Sequence, residues 1–276
     1  MAAVAVGLAL PAEGAEQAVG TDRAAIFYYP WYSTPARDGR WAHWYVEHEG
    51  TPTLSTPYLP TRGLYSSSNA KLVLAQMREI AASGVGTLVV SWWGFDSPEH
   101  ERLLLVEEAA TRYGLEVAIH VEPYRGRTPT RAAEDIQKLR REGGFTDFYL
   151  YDVVTWNGAL FKRLCTQAHA VGLLCAPSVG PGYDARLATR HAVVRPRNDG
   201  LTYDRMWKTA LGADADIVTI TSYNEWQEGT QIEPARVALG KPSYEGAWGK
   251  TGVHAQRAYL DATARWTARL RASPRQ

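Results

Sequence analysis

Short apolar runs rich in β-branched and aromatic residues alternate with longer amphipathic runs along most of this chain. The apolar runs predict buried strands at residues 25–31, 85–92, 116–122, 147–151, 173–178 and 216–221. The amphipathic runs predict helices at residues 69–83, 98–113, 130–142, 158–171 and 203–211, with a last helix at residues 253–270. Strand and helix therefore follow one another as repeated βαβ units.

Repeated βαβ units form a parallel sheet covered by helices. Polar and aromatic residues follow nearly every predicted strand, whereas an open doubly wound sheet would gather them at one switch point. The pattern thus predicts an α/β fold, a (β/α)8 barrel of the TIM type. Because six strands are evident, one more is expected within residues 188–195, and one βα unit is expected to be shortened or missing. No linker or repeat divides residues 21–276, which predicts a single domain.

Composition narrows the kind of ligand. With 30 basic and 29 acidic residues and no basic block, the chain lacks the charge that binding to nucleic acid or an anionic membrane requires. Trp and Tyr are abundant, at 10 and 15 residues against 5 Phe. Because their rings combine an apolar face with a polar tip, they stack well on the C–H faces of sugars. An uncharged, sugar-like ligand is favoured.

Two local features concern the compartment in which the protein works. Residues 1–20 contain the apolar run and small residues of a secretory signal, without the usual positive start. They predict a secreted or periplasmic protein, with a cytoplasmic location as the alternative, and no apolar run is long enough to span a bilayer. Cys165 and Cys175 are expected as buried free thiols, with a disulfide as the alternative, and are too few for a metal site.

A pair of carboxylates follows the last predicted strand of the sheet. Glu225 and Glu228 lie three residues apart around Trp226, at a strand end where α/β folds place their chemistry. Hydrolysis of a glycoside takes one carboxylic acid to protonate the leaving oxygen and a second carboxylate as nucleophile, base or electrostatic partner. A helical turn after Asn224, favoured by Gly229, would put both on one side. The alternative is an acidic first turn of a helix, where carboxylates are common.

Other strand ends carry aromatic and polar residues as well. The motifs are FYYPWY at residues 27–32, SWWG at 91–94, HVEPYRGR at 120–127 and PSVGPGYD at 177–184. Any one of these residues is more often part of a core than of a site. Together they predict an aromatic-lined cleft of the size of a sugar. The candidate binding residues are Tyr29, Tyr32, Trp92, His120, Glu122, Tyr124, Tyr183, Asn224 and Trp226.

The residues of these motifs and the order in which they occur resemble those of a known family. YYPWY, GLYSS, SWWG, HVEPY, PSVGPGYD and NEWQEGTQIEP, found in this order between Ile26 and about Ala235, resemble those of glycoside hydrolase family 99. This family contains the endo-α-1,2-mannosidases and endo-α-1,2-mannanases. The resemblance implies a (β/α)8 barrel that cleaves within an oligosaccharide or polysaccharide containing α-mannosyl residues, retains configuration, and needs no metal or other cofactor. A monomer is expected.

The resemblance also implies roles for individual residues. The carboxylate of Glu228 would act as general acid and then as general base. That of Glu225 would deprotonate the sugar 2-hydroxyl, whose oxygen attacks the anomeric carbon through a 1,2-anhydro intermediate. Asn224 and Trp226, which flank this pair, would shape the cleft.

Further roles concern the sugars on the non-reducing side of the bond. Glu122 would hydrogen-bond the sugar in the minus-two subsite, and Trp92 would pack there. Tyr29 or Tyr32, together with Tyr183, would line the reacting mannose. The choice between the two N-terminal tyrosines stays open.

The chain departs from the family pattern at two places. Between residues 142 and 145 it lacks a strand and loop that supply leaving-group contacts in the family, and Gln227 stands where the family usually has His. The first departure keeps a second function open, that of a glycan-binding or polysaccharide-assembly protein with a related barrel and little turnover. The presence of both Glu225 and Glu228 favours the hydrolase, because a binding module has no need of an acid pair.

Overall fold

The computed structural model of the protein describes residues 23–122, 158–170, 174–189, 193–238 and 240–273. Four of the predicted features lie outside these ranges. They are the signal-like segment at residues 1–20, the helix at 130–142, the strand at 147–151 and the candidate binding residue Tyr124. The missing family segment between residues 142 and 145 also falls outside.

Strands and helices alternate along the described chain, as the hydrophobic pattern predicts. The strands are β1 (Ala24–Tyr28), β2 (Tyr45–His48), β3 (Thr51–Leu54), β4 (Thr87–Trp92), β5 (Glu116–Val121), β6 (Ser178–Val179), β7 (Tyr183–Asp184), β8 (Val194–Arg195) and β9 (Val218–Ile220). The helices are α1 (Pro35–Asp38), α2 (Ala70–Ala82), α3 (Pro98–Thr111), α4 (Phe161–Ala170), α5 (Leu201–Leu211), α6 (Gly252–Gln256) and α7 (Ala258–Ala272). Short 3-10 turns cover Asn198–Gly200 and Ala247–Gly249.

The central sheet is parallel and brings its first and last strands together. Within the described residues it has five strands in the order β5-β4-β1-β9-β6. The first strand, β1, pairs with β4 on one side and with β9, the last strand, on the other. Pairing of the first and last strands is what closes a sheet into a barrel. The fold is the predicted (β/α) barrel of the TIM type.

Strand β1 shows how the barrel divides its side chains between two cores. Because successive side chains point to opposite faces, Ala24, Ile26 and Tyr28 pack in the large core that includes the helices. Phe27 lies in the smaller core, with Val89 of β4 and Ala118 of β5. The second group faces the barrel interior, and the carboxyl ends of these strands lead into the candidate site.

The predicted helices are confirmed in the described ranges, with one difference at the end of the chain. Helix α2 begins after Asn69, whose side chain accepts the N–H groups of Lys71 and Leu72, so the cap lies at the predicted start. The single helix predicted at residues 253–270 is instead two helices, α6 and α7, which meet at Arg257.

Two short antiparallel hairpins lie outside the parallel sheet. Strands β2 and β3 pair with each other, and the hydrophobic pattern did not predict either of them. Within the stretch proposed for a further barrel strand, residues 188–195, the described Val194 and Arg195 pair with β7 instead. That stretch therefore contributes an edge hairpin and not a barrel strand in its described part. Such brief pairings lack the periodicity that identifies longer strands.

The two cysteines form a disulfide, so the expectation of free thiols is wrong. Cys165 of α4 and Cys175, just before β6, have Cα atoms 5.0 Å apart. Both are buried, and the bond ties the helix layer to the entry of the barrel strand. Among the helices that the structure describes, none has the length and apolar character needed to cross a membrane.

Candidate active site

The two predicted catalytic carboxylates lie on one tight turn after β9. The N–H of Thr230 donates to the carbonyl of Glu225 at 3.3 Å, so the turn begins at Glu225 and includes Glu228. Residues 221–238, all of them described, contain no helix. Gly229 ends the turn with φ +64°, and a Cβ there would lie 3.2 Å from the backbone nitrogen and oxygen of Asp184. The alternative that Glu225 and Glu228 open a helix is therefore excluded. The turn places both at the carboxyl end of the barrel.

Glu225 is held inside this turn by backbone donors. One carboxylate oxygen accepts the N–H of Gln227 at 2.9 Å and that of Glu228 at 3.3 Å, while its own N–H donates to Ser222 Oγ at 2.8 Å. The side chain is 1% exposed. Burial, followed by the negative charge of Glu228, raises the pKa of Glu225 well above its ordinary value. Once ionised, this carboxylate is therefore a stronger proton acceptor than a solvated one.

Glu228 lies at the other end of the turn in a more open environment. Its side chain is half-buried, and its backbone carbonyl accepts the N–H of Asp184 at 2.8 Å. That bond fixes the β7 hairpin to the turn and brings the neighbouring Tyr183 to the same rim. The pair is thus unequal, with Glu225 enclosed and Glu228 accessible. Unequal environments are how two carboxylates take different proton-transfer roles.

Asn224 and Tyr32 connect the turn to the end of β1. The Asn224 side chain accepts the backbone N–H of Tyr29 at 2.9 Å and donates to the carbonyl of the same residue at 3.1 Å. The Tyr32 hydroxyl donates to the Asn224 carbonyl at 3.0 Å and accepts the N–H of Trp226 at 3.1 Å. Asn224, Tyr32 and Trp226 are all 0% exposed. Their hydrogen bonds hold the turn against the end of β1, so the structure gives these three predicted binding residues a role in shaping the cleft.

A second polar group extends from the ends of β4 and β5. Glu122 accepts a hydrogen bond from Ser91 Oγ at 2.9 Å, and its other carboxylate oxygen lies 3.3 Å from His120 Nε2. Trp93 Nε1 donates to the same Ser91 oxygen at 3.2 Å. The charge of Glu122 is one of the smaller contributions to the raised pKa of Glu225, and both residues follow strands of the same parallel sheet. The predicted Glu122 and His120 therefore lie at the same edge of the sheet as the acid pair.

Trp92, by contrast, faces away from the cleft. It is 0% exposed within the large core, where its ring packs edge-on against Phe95 at 4.9 Å and its Nε1 donates to His100 Nδ1 at 3.3 Å. Because side chains alternate along β4, the following tryptophan, Trp93, takes the opposite direction. The structure thus corrects Trp92 to Trp93 as the tryptophan of this strand end on the cleft side.

Two aromatic residues missed as candidates complete the wall of the cleft. Trp31 stacks on His43 with ring centroids 4.3 Å apart, and it also contacts Tyr29 at 4.7 Å and Trp93 at 6.4 Å. We call these four residues the aromatic wall. Burial lowers the pKa of His43 to about 4, so its ring is neutral near pH 7, and its Nδ1 lies 3.4 Å from Gln227 Oε1. Trp31 belongs to the FYYPWY motif, and His43 lies shortly after it in the aromatic stretch RWAHW at residues 40–44, which was the usable sequence signal.

The aromatic wall borders a cavity at the rim of the barrel. Its volume is about 580 Å³, and Trp31 and His43 line one side of it. Asp38, Arg102 and Glu99 lie on the other side. Cavities of several hundred cubic ångströms with aromatic walls and a few polar groups are typical of small-molecule sites. This cavity adjoins the aromatic wall at Trp31 and His43, and its lining includes neither Glu225 nor Glu228.

Comparison with known proteins gives one family and a consistent set of relatives. The model of glycosyl hydrolase family 99 matches residues 21–161 and 146–272. The glycoprotein endo-alpha-1,2-mannosidase-like protein of Danio rerio is 25% identical over 344 residues, which cover 87% of this chain and 76% of that protein. The glycoprotein endo-alpha-1,2-mannosidase of Xenopus laevis is 25% identical over 342 residues, covering 88% of this chain and 76% of that protein.

Solved structures give the same result at the level of the fold. The GH99 endo-alpha-mannosidase from Bacteroides thetaiotaomicron superimposes with a TM-score of 0.78 at 25% identity, covering 91% of this chain and 98% of that chain. The sequence alignment with the Danio rerio relative runs over 344 residues, more than the 276 residues of this chain, so that relative carries insertions. A shortened βα unit in this chain agrees with that difference in length.

Proposed function

This chain belongs to glycosyl hydrolase family 99 and is a glycoside hydrolase, and we propose that it cleaves within glycans that contain α-mannosyl residues, with retention of configuration. The observation that carries this proposal is the turn on which Glu225 is enclosed, with a raised pKa, beside the more open Glu228. An endo-acting hydrolase of mannosides is also what the names of its relatives indicate.

The proposed reaction begins with proton transfer to Glu225. Its carboxylate takes the proton of the mannose 2-hydroxyl, and the resulting oxygen forms a bond to the anomeric carbon. As that bond forms, the bond to the leaving oxygen breaks, and Glu228 donates its proton to that oxygen. The 2-oxygen of mannose is axial and lies anti to an α leaving group, so it reaches the anomeric carbon from the rear.

The second half of the reaction reverses these proton movements. Glu228, now ionised, takes a proton from water, and the water oxygen bonds to the anomeric carbon as the 1,2-anhydro ring opens. The proton held by Glu225 returns to the 2-oxygen. Two inversions at the same carbon give net retention, and neither carboxylate forms a covalent bond to the sugar. The raised pKa of Glu225 supports this assignment, because it makes the carboxylate a better acceptor for a hydroxyl proton.

Sugar binding is proposed for the aromatic wall and the polar group beside it. Trp93, in place of Trp92, would stack on the sugar in the minus-two subsite, and Glu122 would accept hydrogen bonds from its hydroxyls. Tyr29 and Tyr183 would line the reacting mannose. A protein that only binds glycans gains nothing from burying one carboxylate beside another, since that arrangement lowers stability. The second candidate function is therefore not favoured.

Export from the cytoplasm is part of the proposal. Disulfides persist mainly in oxidising compartments, and Cys165 and Cys175 are paired. Together with the signal-like composition of residues 1–20, this pairing supports a secreted or periplasmic enzyme.

The decisive test is incubation with α-1,2-linked mannan and with glucosyl-mannose oligosaccharides. We expect new reducing ends and products longer than one sugar, and NMR of the first product should show the α anomer. Glu228→Gln serves as the control for contaminating activity. Release of single terminal mannose units, initial formation of the β anomer, or no new reducing ends with either substrate would overturn the proposal.

A further inference from the structure

A fully buried carboxylate lies beneath the catalytic turn. Glu233 is 0% exposed. One of its oxygens accepts hydrogen bonds from Gln76 Nε2 at 2.9 Å and Arg62 at 3.2 Å. The other accepts from the Tyr65 hydroxyl at 2.8 Å and from Trp226 Nε1 at 2.9 Å. All four partners donate, which favours the ionised carboxylate, whereas burial raises the pKa of Glu233.

Tyr65 carries this network to the residues on both sides of Glu225. While its hydroxyl donates to Glu233, it also lies 3.4 Å from Asn224 Nδ2 and 3.3 Å from Trp226 Nε1, both of which donate to it. Asn224 directly precedes Glu225, and Trp226 directly follows it. The neighbours of the proposed base are thus attached by their side chains to one buried tyrosine and one buried carboxylate.

We infer that Tyr65 and Glu233 are positioning residues of the acid pair, an inference whose catalytic part rests on the proposed function. Both are buried and bond to the Trp226 side chain, and the inference assigns them no contact with the sugar. Whenever both Glu225 and Glu228 are ionised, their charges repel each other and favour a wider turn. The hydrogen bonds to Trp226 and Asn224 oppose that widening. A misplacement of about 1 Å at a reacting group costs roughly 100-fold in rate, so rigidity here has a catalytic consequence.

The chain offers a matched control in the same network. Tyr28 is also 0% exposed, and its hydroxyl donates to Gln76 Oε1 at 2.6 Å. Gln76 in turn bonds to Glu233, so Tyr28 lies one residue further from the turn than Tyr65 does. Tyr28→Phe and Tyr65→Phe each remove one buried hydroxyl from this network. Only the second removes the bonds to Asn224 and Trp226.

The first test compares kcat, KM and the thermal midpoint of these two variants. We expect Tyr65→Phe to lower kcat about 10- to 100-fold with KM changed by less than about threefold. Tyr28→Phe should keep kcat within about twofold while its thermal midpoint falls by a similar amount to that of Tyr65→Phe. Equal losses of kcat in the two variants, or an unchanged kcat in Tyr65→Phe, would overturn the inference. In Glu233→Gln, the amide N–H₂ would face two groups that also donate. This variant should therefore lower kcat at least as much as Tyr65→Phe does.

A second test does not depend on turnover. With ¹³C-labelled glutamate, NMR follows the titration of the Glu225 carboxyl, whose midpoint depends on burial and on the distance to Glu228. Tyr65→Phe should shift that midpoint, and Tyr28→Phe should leave it at the wild-type value. If the wild-type protein cleaves none of the glycans, the proposed function fails while this titration still decides on positioning. An identical midpoint in all three proteins would refute positioning even if the enzyme is active.

Discussion

Replacing Glu225 by Gln separates the charge of this residue from its shape. The carboxylate oxygen that accepts the N–H groups of Gln227 and Glu228, at 2.9 and 3.3 Å, has a counterpart in the amide oxygen of Gln. The turn should therefore keep its hydrogen bonds in Glu225→Gln. What disappears is the ability to take a proton from the sugar 2-hydroxyl.

The expected loss of activity is large. General base catalysis typically contributes about 100- to 10,000-fold, and a factor of ten in rate corresponds to about 1.4 kcal/mol in the activation free energy. We therefore expect kcat to fall by about 10² to 10⁴, or roughly 3 to 5 kcal/mol of lost transition-state stabilisation. KM should change little, because the aromatic wall and Glu122 are untouched.

While kcat falls in Glu225→Gln, the free energy of unfolding should rise, and the size of this rise should depend on pH. The pKa of Glu225 is higher in the folded protein than its ordinary 4.5, so the folded state binds this proton more tightly than the unfolded chain does. As pH rises above the unfolded pKa, the unfolded chain loses this proton while the folded protein still holds it. The free energy of unfolding then falls, by up to about 1.4 kcal/mol for each unit of pKa difference. Well below that pKa, both states hold the proton and the effect vanishes. Glu225→Gln should therefore raise the free energy of unfolding at pH 7 and lose this advantage in acid.

The assay combines turnover with urea unfolding at pH 7 and in acid. Glu228→Gln is the matched comparison, since it should lose similar activity but gain less stability because its side chain is half-buried. Turnover of Glu225→Gln within tenfold of wild type would refute its role as the base. A loss of stability at pH 7 would refute the reasoning from burial and like charge.

Three further predictions follow from individual contacts. Trp93→Ala should raise KM about 10-fold with little change in thermal midpoint. Trp92→Ala should instead lower the free energy of unfolding in urea by about 3 to 5 kcal/mol. Similar KM values in the two variants would contradict the assignment of Trp93 to the cleft face. Replacing Cys165 and Cys175 together by Ala should lower the free energy of unfolding by about 2 to 3 kcal/mol, as expected for a short closed loop, and dithiothreitol should destabilise the wild type but not this variant. His43 has a pKa of about 4 against an ordinary 6.5, so the unfolded chain takes up a proton first and stability should fall as pH drops from 6.5 to 4. His43→Asn, in which Asn tolerates the positive φ of 61°, should reduce that fall in urea unfolding, and an unchanged pH dependence would contradict a neutral, buried His43.

Local periodicity was sufficient to predict much of the barrel. The apolar run at residues 85–92 predicted β4, and Asn69 at the start of an amphipathic run predicted the beginning of α2. Both signals depend on residues a few positions apart, which is the range over which backbone conformation is decided. The acid pair was recognisable for the same reason, since Glu225 and Glu228 belong to one short motif.

The direction in which a side chain points and the segment with which it pairs depend on residues far apart in the chain, so local periodicity did not predict them. Whether Trp92 or Trp93 faces the cleft depends on the register of β4 against β1, which pairs Val89 with Phe27 on the interior side. The hairpin of β2 and β3 was missed because its strands, four residues each, carry no clear period. Pairing of Cys165 with Cys175 required α4 and the segment before β6 to pack together.

The sequence by itself determined the alternation of strands and helices, the family motifs and the two candidate carboxylates. Each of these features depends only on residues that are close together in the chain. Only the tertiary structure decided that Glu225 is enclosed and Glu228 open, and that Tyr65 bonds to Glu233, 168 residues away along the chain. The pKa of Glu225 follows from burial and from the charges around it. Those quantities exist only once the barrel has closed and brought distant strand ends to one rim.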